Sequence, residues 1–349
     1  MLLIRWFGEN INSDMRRIIF YSSVSDKGLF NTQKFYQIDI DILKQLGYHV
    51  ILSNSIADAF MFWKYDIVFA YFYRYSFFFA VVALIFGRRT YFTGGIDSLD
   101  IEYIGKKQYF IQRMFFRWCY LISKKCFIVS ESDLKNVKKV LKTQTSKLVL
   151  SEHTINTSSF KLNVSETKSK LFTTLVWMGT DSNVIRKGVD KALLLFSLLK
   201  SYPDYKDFKF ILMGKKGAGT TFIEKIIQEL NISDSVIITG EVSEEEKISY
   251  LKQSMFYIQL SHYEGFGVAA LEALIAGNII IHSAKGGLSN PIYSDHVIID
   301  IQDELKGQIE CVINRINSID SDIIYSRVQQ YYSHYDNKRR LNDFSRYIS

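Results

Sequence analysis

Short runs of β-branched and aromatic residues alternate with helix-like segments along nearly the whole chain. No other feature limits the fold as much. Strands joined by helical crossovers lie parallel, and a parallel sheet needs helices on both faces. Residues 18–22 read as the first strand, followed by 48–53, 66–72, 89–92, 126–130 and 147–150. Residues 37–46 fit a helix ended by Gly47, and 77–86 fit a helix packed on the sheet. Ser132 is placed to cap a helix running through Val140. The alternation pauses in a polar stretch, 156–170, and resumes with strands at 172–178, 208–213, 236–239, 256–260 and 279–282. A helix fits 190–199, and the chain looks helical from about Asp303. The expected fold class is α/β: two Rossmann-like parallel domains, 1–160 and 161–325, facing each other across a cleft. Residues 326–349 are expected to form a helix that crosses back to the first domain.

Length and composition fit that plan. The chain has 349 residues, of which 48 % are hydrophobic, so each half can bury a core. Three scattered cysteines exclude a disulfide framework and a thiolate metal site, and suit a reducing, cytoplasmic setting. The opening residues Met1 to Trp6 hold too short an apolar run for a secretory leader. The longest apolar block, 77–87, is shorter than the roughly 20 residues a membrane span needs. Net charge is +7, and Lys106, Lys107, Arg113, Arg117, Lys124 and Lys125 sit among Phe110, Phe115, Phe116, Trp118 and Tyr120. Two readings fit: the solvated face of an amphipathic helix, or contact with an anionic membrane surface, which would place the protein peripherally on the inner face of the cytoplasmic membrane. No nucleic-acid-binding motif accompanies the charge, so no nucleic-acid partner is expected.

The richest segment is 261–277, S-H-Y-E-G-F-G-V-A-A-L-E-A-L-I-A-G. A strand leads into a glycine loop, and a helix starts near Val268 and stops at Gly277. Gly265, Phe266, Gly267 and Val268 would let the backbone approach a phosphate at the helix start. Glu264 and Glu272 flank that cradle and would repel a phosphate, so they suit sugar and ribose hydroxyls, which donate to carboxylates. Residues 265–270 also fit a dinucleotide fingerprint, yet the acidic residue that a nicotinamide site wants about 20 positions on is replaced by Lys285. His262 reads as a packed loop histidine. Upstream, Gly179 ends a strand, and a loop delivers Arg186 and Lys187 to Gly188, just before a helix. Met213-Gly214 repeats the strand-then-glycine pattern.

Glu264 and Glu272 form an E-x7-E pair. With Gly179, Arg186-Lys187-Gly188, Gly214, Gly240 and Gly286-Gly287, they resemble the carboxyl-terminal domain of family 4 retaining glycosyltransferases over about 172–292. The Arg186 to Asp190 run is similar to members that build bacterial lipopolysaccharide cores. The resemblance implies the GT-B architecture. It implies a donor site of Gly179, Gly214, Gly265, Phe266, Gly267, Val268 and Glu272, in which Glu264 contacts the transferred sugar and Glu272 the donor ribose. Arg186 and Lys187 would neutralise the departing diphosphate in place of a metal. Asp39-Ile40-Asp41 falls in a helix pattern and Asp320-Ser321-Asp322 beyond the donor motifs, so neither fits a metal-binding acidic pair. The donor would be a nucleoside-diphosphate sugar, UDP favoured over GDP, with no cofactor and no metal. The acceptor would be a glycan or lipid-linked oligosaccharide of lipopolysaccharide, O-antigen or capsule synthesis. The amino-terminal half departs from the family pattern: the loop after the first strand lacks paired glycines, and Gly94-Gly95-Ile96-Asp97 stands where members often have His-Gly. Gly95 and Asp97 are the acceptor candidates. A sugar-nucleotide epimerase or a silent nucleotide-sugar-binding homologue are the alternatives; the E-x7-E pairing argues against the first, and the presence of Arg186, Lys187, Glu264 and Glu272 against the second.

Overall fold

The structure, a computed structural model, describes residues 16–96, 99–142, 144–160 and 168–348. Two six-stranded parallel sheets carry the chain. The first contains β1 (Arg17–Ser22), β2 (His49–Ser53), β3 (Ile67–Tyr71), β4 (Arg89–Thr93), β5 (Lys125–Ile128) and β6 (Leu148–Leu150), in the order β2-β1-β3-β4-β5-β6. The second contains β7 (Ser169–Leu175), β8 (Lys209–Met213), β9 (Val236–Gly240), β10 (Ser254–Gln259), β11 (Ile279–His282) and β12 (Val297–Ile298), in the order β12-β11-β10-β7-β8-β9. Central strands are covered on both faces. All five residues of β3 are buried, which is why its sequence is a continuous apolar run and not an alternation.

Read from β9, the second sheet has the 3-2-1-4-5-6 order of a doubly wound fold. The winding reverses between β7 and β10, which pair in parallel. Crossover helices leave in opposite directions there, so a crevice opens outside the carboxyl ends of those two strands. Position alone makes that crevice the first place to look for a ligand.

Several elements differ from the sequence reading. Ser130, not Ser132, caps the helix Glu131–Leu141: its Oγ accepts the amide of Asp133 at 3.1 Å from extended backbone. Ser132 already lies inside the first turn. The helices Gly219–Glu229 and Glu244–Gln253 and the two-residue strand β12 went unread. The tail is two helices, Ser321–His334 and Asn337–Tyr347, because Asp336 is extended and its carboxylate accepts the amide of Lys338 at 3.0 Å. Among the described residues, no helix is long and apolar enough to cross a membrane.

The helix Asn337–Tyr347 packs on the first domain. Phe344 sits 5.1 Å from Phe69 and 5.0 Å from Phe127, ring centroid to centroid. Arg340 is wholly buried. It donates to Asp39 Oδ2 at 2.8 Å, to Thr93 Oγ1 at 3.1 Å and to the carbonyl of Ser151. Tyr71 donates its hydroxyl proton to the same Asp39. A buried charge survives only when its partners are complete.

Arg340→Met or Asp39→Ala should therefore destabilise the protein by about 3–5 kcal/mol in urea unfolding, by stranding the other charge. The double change Asp39→Leu with Arg340→Met should recover much of that loss. If each single change costs little, the pair does not anchor the helix.

Candidate active site

The site is built where β7 and β10 end. Beyond β7, Val176 and Met178 are buried, and Gly179 leads into a short helix, Asp181–Arg186, capped by Thr180, whose Oγ1 accepts the amide of Asn183 at 3.2 Å. The sequence reading expected a loop there. The two cations therefore ride the carboxyl end of a helix turn, with Lys187 at its cap and Gly188 at φ +68° turning the chain into the helix Val189–Lys200. Arg186 donates to Asn183 Oδ1 at 2.9 Å, and its carbonyl accepts the amide of His262 at 2.9 Å, tying this turn to the loop after β10.

That loop holds Glu264, which is buried. Three donors meet on its Oε1: the Lys187 ammonium, Gln259 Nε2 at 2.6 Å and Ser261 Oγ at 2.9 Å. Burial alone would raise its pKa. The facing Lys187, the hydrogen bonds from Lys187 and Ser261, and the charge of Arg186 outweigh that and hold the carboxyl below its ordinary value. Gly286 and Gly287 close over the same loop: the Gly287 amide donates to the Glu264 carbonyl at 2.6 Å, and a β-carbon on Gly286 would lie 2.1 Å from that oxygen. Gly267, at φ +88°, opens the helix Val268–Ile275 with no side-chain cap. First-turn amides have no partners within their own helix, and they attract anions.

Glu272 is placed differently from the expectation of a carboxylate waiting for hydroxyls. It is 2 % exposed and bound at both oxygens by Lys247 Nζ, 2.8 Å each. Lys247 comes from the helix Glu244–Gln253 and also meets Glu244 at 3.1 Å. Burial opposes its charge, but the two carboxylates hold its pKa above the ordinary lysine value. No sequence spacing signals this pair. Phe266 turns its ring into the interior, 5.6 Å from His153 and 6.3 Å from Tyr335, so what it can offer a donor is backbone. Gly179 and Gly214 sit just past β7 and β8, and Val268 is half-buried. His262 is exposed, not packed in the loop.

The first domain reaches the same point. A β-carbon on Gly95 would lie 3.3 Å from the Cα of Gly265, so these backbones nearly touch across the cleft. Beside them Tyr263 donates to Asp133 Oδ1 at 3.1 Å, and Asp133 Oδ2 accepts the Ile96 amide at 2.9 Å. Tyr103 stacks on Tyr263 at 5.2 Å. Asp97, the second acceptor candidate, lies outside the described residues. Sequence reasoning missed Lys247, Gln259, Ser261, Asp133 and Tyr263. Only Ser261 and Tyr263 carried a signal, adjacency to Glu264. Among the described residues, no three His, Cys, Asp or Glu side chains gather as a metal-binding group.

Residues 180–314, which hold Arg186, Lys187, Glu264 and Glu272, match the family described as glycosyl transferases group 1. That match spans under half of the chain, and over it the second domain is similar to the group 1 glycosyltransferases. The chain is 33 % identical over 112 residues to the GDP-mannose:cellobiosyl-diphosphopolyprenol alpha-mannosyltransferase of Xanthomonas oryzae pv. oryzae, an alignment covering 32 % of this chain and 28 % of the relative. Its fold is that of HepE from Anabaena, solved with UDP and glucose, at a TM-score of 0.72 and 13 % identity over 95 % of this chain and 98 % of that one. Sucrose-phosphate synthase from Thermosynechococcus elongatus gives 0.69 at 14 % identity, over 95 % and 98 %. Two parallel α/β domains about a cleft are thus the GT-B arrangement, and the family match over 180–314 sets aside the dinucleotide-dehydrogenase reading of 265–270.

Two outcomes test the geometry. Glu264's depressed carboxyl contributes stability fully above its ordinary pKa of 4.5, and that contribution is lost as pH falls through the lower folded value. Thermal melts of Glu264→Gln should lack this part of the acid limb; an unchanged limb would mean Glu264 is not held ionised. Gly188→Ala should lower the melting temperature by several degrees, because its β-carbon would meet the Leu260 carbonyl oxygen at 1.9 Å.

Proposed function

We propose that this protein is a retaining, metal-independent glycosyltransferase. It moves a sugar from a nucleoside-diphosphate sugar to a glycan or lipid-linked oligosaccharide acceptor, in bacterial lipopolysaccharide, O-antigen or capsule synthesis. The observation that carries the reading is the Lys187–Glu264 pair at the switch point between β7 and β10, beside the uncapped start of the helix Val268–Ile275.

On this reading the donor's diphosphate lies against Arg186, Lys187 and the helix amides. As the bond from the anomeric carbon to the phosphate oxygen breaks, its electron pair goes to the diphosphate, where these groups stabilise the new charge. Each such pre-placed donor is worth on the order of 10²–10³ in rate. The acceptor hydroxyl bonds to the anomeric carbon from the face the diphosphate leaves, which retains configuration, and its proton passes to the leaving group. Glu264 meets the transferred sugar. Glu272, held by Lys247, meets the donor ribose. Gly95, which faces Gly265 across the cleft, is on the acceptor side, and Asp97 is the second acceptor candidate from the sequence.

UDP is the proposed nucleotide, supported by the UDP held by HepE. The Xanthomonas relative is named for GDP-mannose and a diphosphopolyprenol-linked acceptor, which supports the lipid-linked acceptor class and makes GDP the competing nucleotide.

A thermal-shift screen against UDP, GDP, ADP, CMP and NAD, with EDTA present, tests the proposal. A ligand at about 100 times its Kd should stabilise by about 2.7 kcal/mol. One nucleoside diphosphate should shift the melt and NAD should not; a shift with NAD alone, or with none, removes the donor site. With donor and acceptor in hand, Lys187→Ala should lower kcat on the order of 10²–10³-fold with the fold intact. Near-normal turnover would take Lys187 out of the mechanism. Glu272→Ala should weaken donor binding.

A further inference from the structure

The first domain carries an exposed face that its fold does not explain. The helix Ser76–Ile85 buries Phe79, Ala80 and Ala83 on the sheet, while its outer stripe holds Phe78, 46 % exposed, and Ile85, 75 % exposed. The helix Lys106–Ile122 buries Phe116, Cys119 and Tyr120. Phe110, Trp118 and Leu121, three, eight and eleven positions apart in helical register, leave its outer side apolar, with Leu121 62 % exposed. The two faces are continuous. Phe78 meets Phe115 at 5.8 Å and Phe77 meets Trp118 at 5.4 Å. At the other end Phe86 stacks on Phe62 at 4.1 Å, next to Trp63, which is 58 % exposed. Isolated exposed apolar residues are ordinary, but a connected aromatic and aliphatic surface is not.

The charge around its two long helices has one sign, while Asp66 beside the Phe62–Lys64 turn is paired with Arg17 and Arg88. Residues 103–130 contain six lysines and arginines and no acidic residue, and 67–96 contain three arginines and none. Lys106, Lys107 and Lys124 are exposed, and the Arg74 guanidinium lies over the exposed Tyr75 ring at 5.2 Å. Aromatic rings and aliphatic tips flanked by cations match the interface of an anionic bilayer, where apolar groups enter the acyl boundary and lysines meet the headgroups. A second copy packed on the same face would set cations against cations, so the charge argues against it. The face also runs to the cleft. The short helix Ile101–Ile104 carries an exposed Ile101 and the Tyr103 that stacks on Tyr263.

We propose that the face formed by the helices Ser76–Ile85 and Lys106–Ile122 and the turn at Phe62–Lys64 docks the protein on an anionic lipid surface. This stands independently of the transferase reading. It enlarges the segment around Lys106 to Lys125 into a surface drawn from three elements, and puts the cleft mouth at the lipid boundary.

Vesicle co-sedimentation of the full chain tests it. The protein should pellet with vesicles containing phosphatidylglycerol and not with pure phosphatidylcholine, and binding should weaken in high salt. Lys106→Gln, Lys107→Gln and Lys124→Gln together should lower partitioning on the order of a hundredfold, at roughly fivefold per cation. Ile85→Glu with Leu121→Glu should also abolish pelleting, and all five sites are exposed, so melting temperatures should stay at the wild-type value. Binding to neither vesicle, equal binding to both, or wild-type binding by both variants would overturn the proposal. So would self-association in sedimentation velocity that Ile85→Glu removes, because the face would then join copies of the chain.

Discussion

In a parallel sheet every strand ends on the same side, so each strand-to-helix turn of a domain gathers along one edge. Both sheets here obey this, and the two edges face each other. The reversal of winding between β7 and β10 then parts two turns by one strand spacing, about 4.8 Å. Across that gap the Arg186 carbonyl holds the His262 amide, and the Lys187 ammonium holds Glu264. The ion pair is not an ornament on the fold. It exists because the strand order leaves two turns side by side, one cationic and one anionic.

Much of this was legible in the sequence. Eleven of the twelve strands announce themselves as short apolar runs, because strands covered on both faces need no polar residues. The missing or blurred parts have physical reasons. β12 is two residues long, below the length at which a pattern exists. The helix Asp181–Arg186 contains little apolar periodicity, since only Val184 is buried, so it reads as loop. At the site, Glu264, Lys187 and the glycines were readable as chemistry. What Glu272 touches was not: Lys247 is 25 positions away, in a helix that buries only Lys247 and Leu251 and so carries almost no apolar pattern. Asp133 likewise looks like an ordinary first-turn acid until Tyr263 of the other domain appears beside it.

The passages between the domains lie together. Ile155 donates its amide to the Tyr335 carbonyl at 3.0 Å, so the outgoing and returning segments touch. Glu152 accepts from Arg339 at 2.9 Å and from Asn290 at 3.1 Å, joining both segments to the second domain. His153 stands between Phe35 and Phe266, one ring from each domain. Motion of one domain against the other would turn about this cluster while the Tyr263–Asp133 and Gly95–Gly265 contacts open and close at the far edge.

The helix Asn337–Tyr347 gives the first domain a debt to the last part of the chain. Synthesis delivers that domain first, at about 5–20 residues per second. Until residues 337–347 leave the ribosome, Asp39 has no guanidinium and the Phe69–Phe127 surface has no lid. The first domain must therefore wait, apolar face open, while the second is made. The first domain thus completes its packing only after the second has been made, and the interval is a window in which a chaperone has a defined patch to hold.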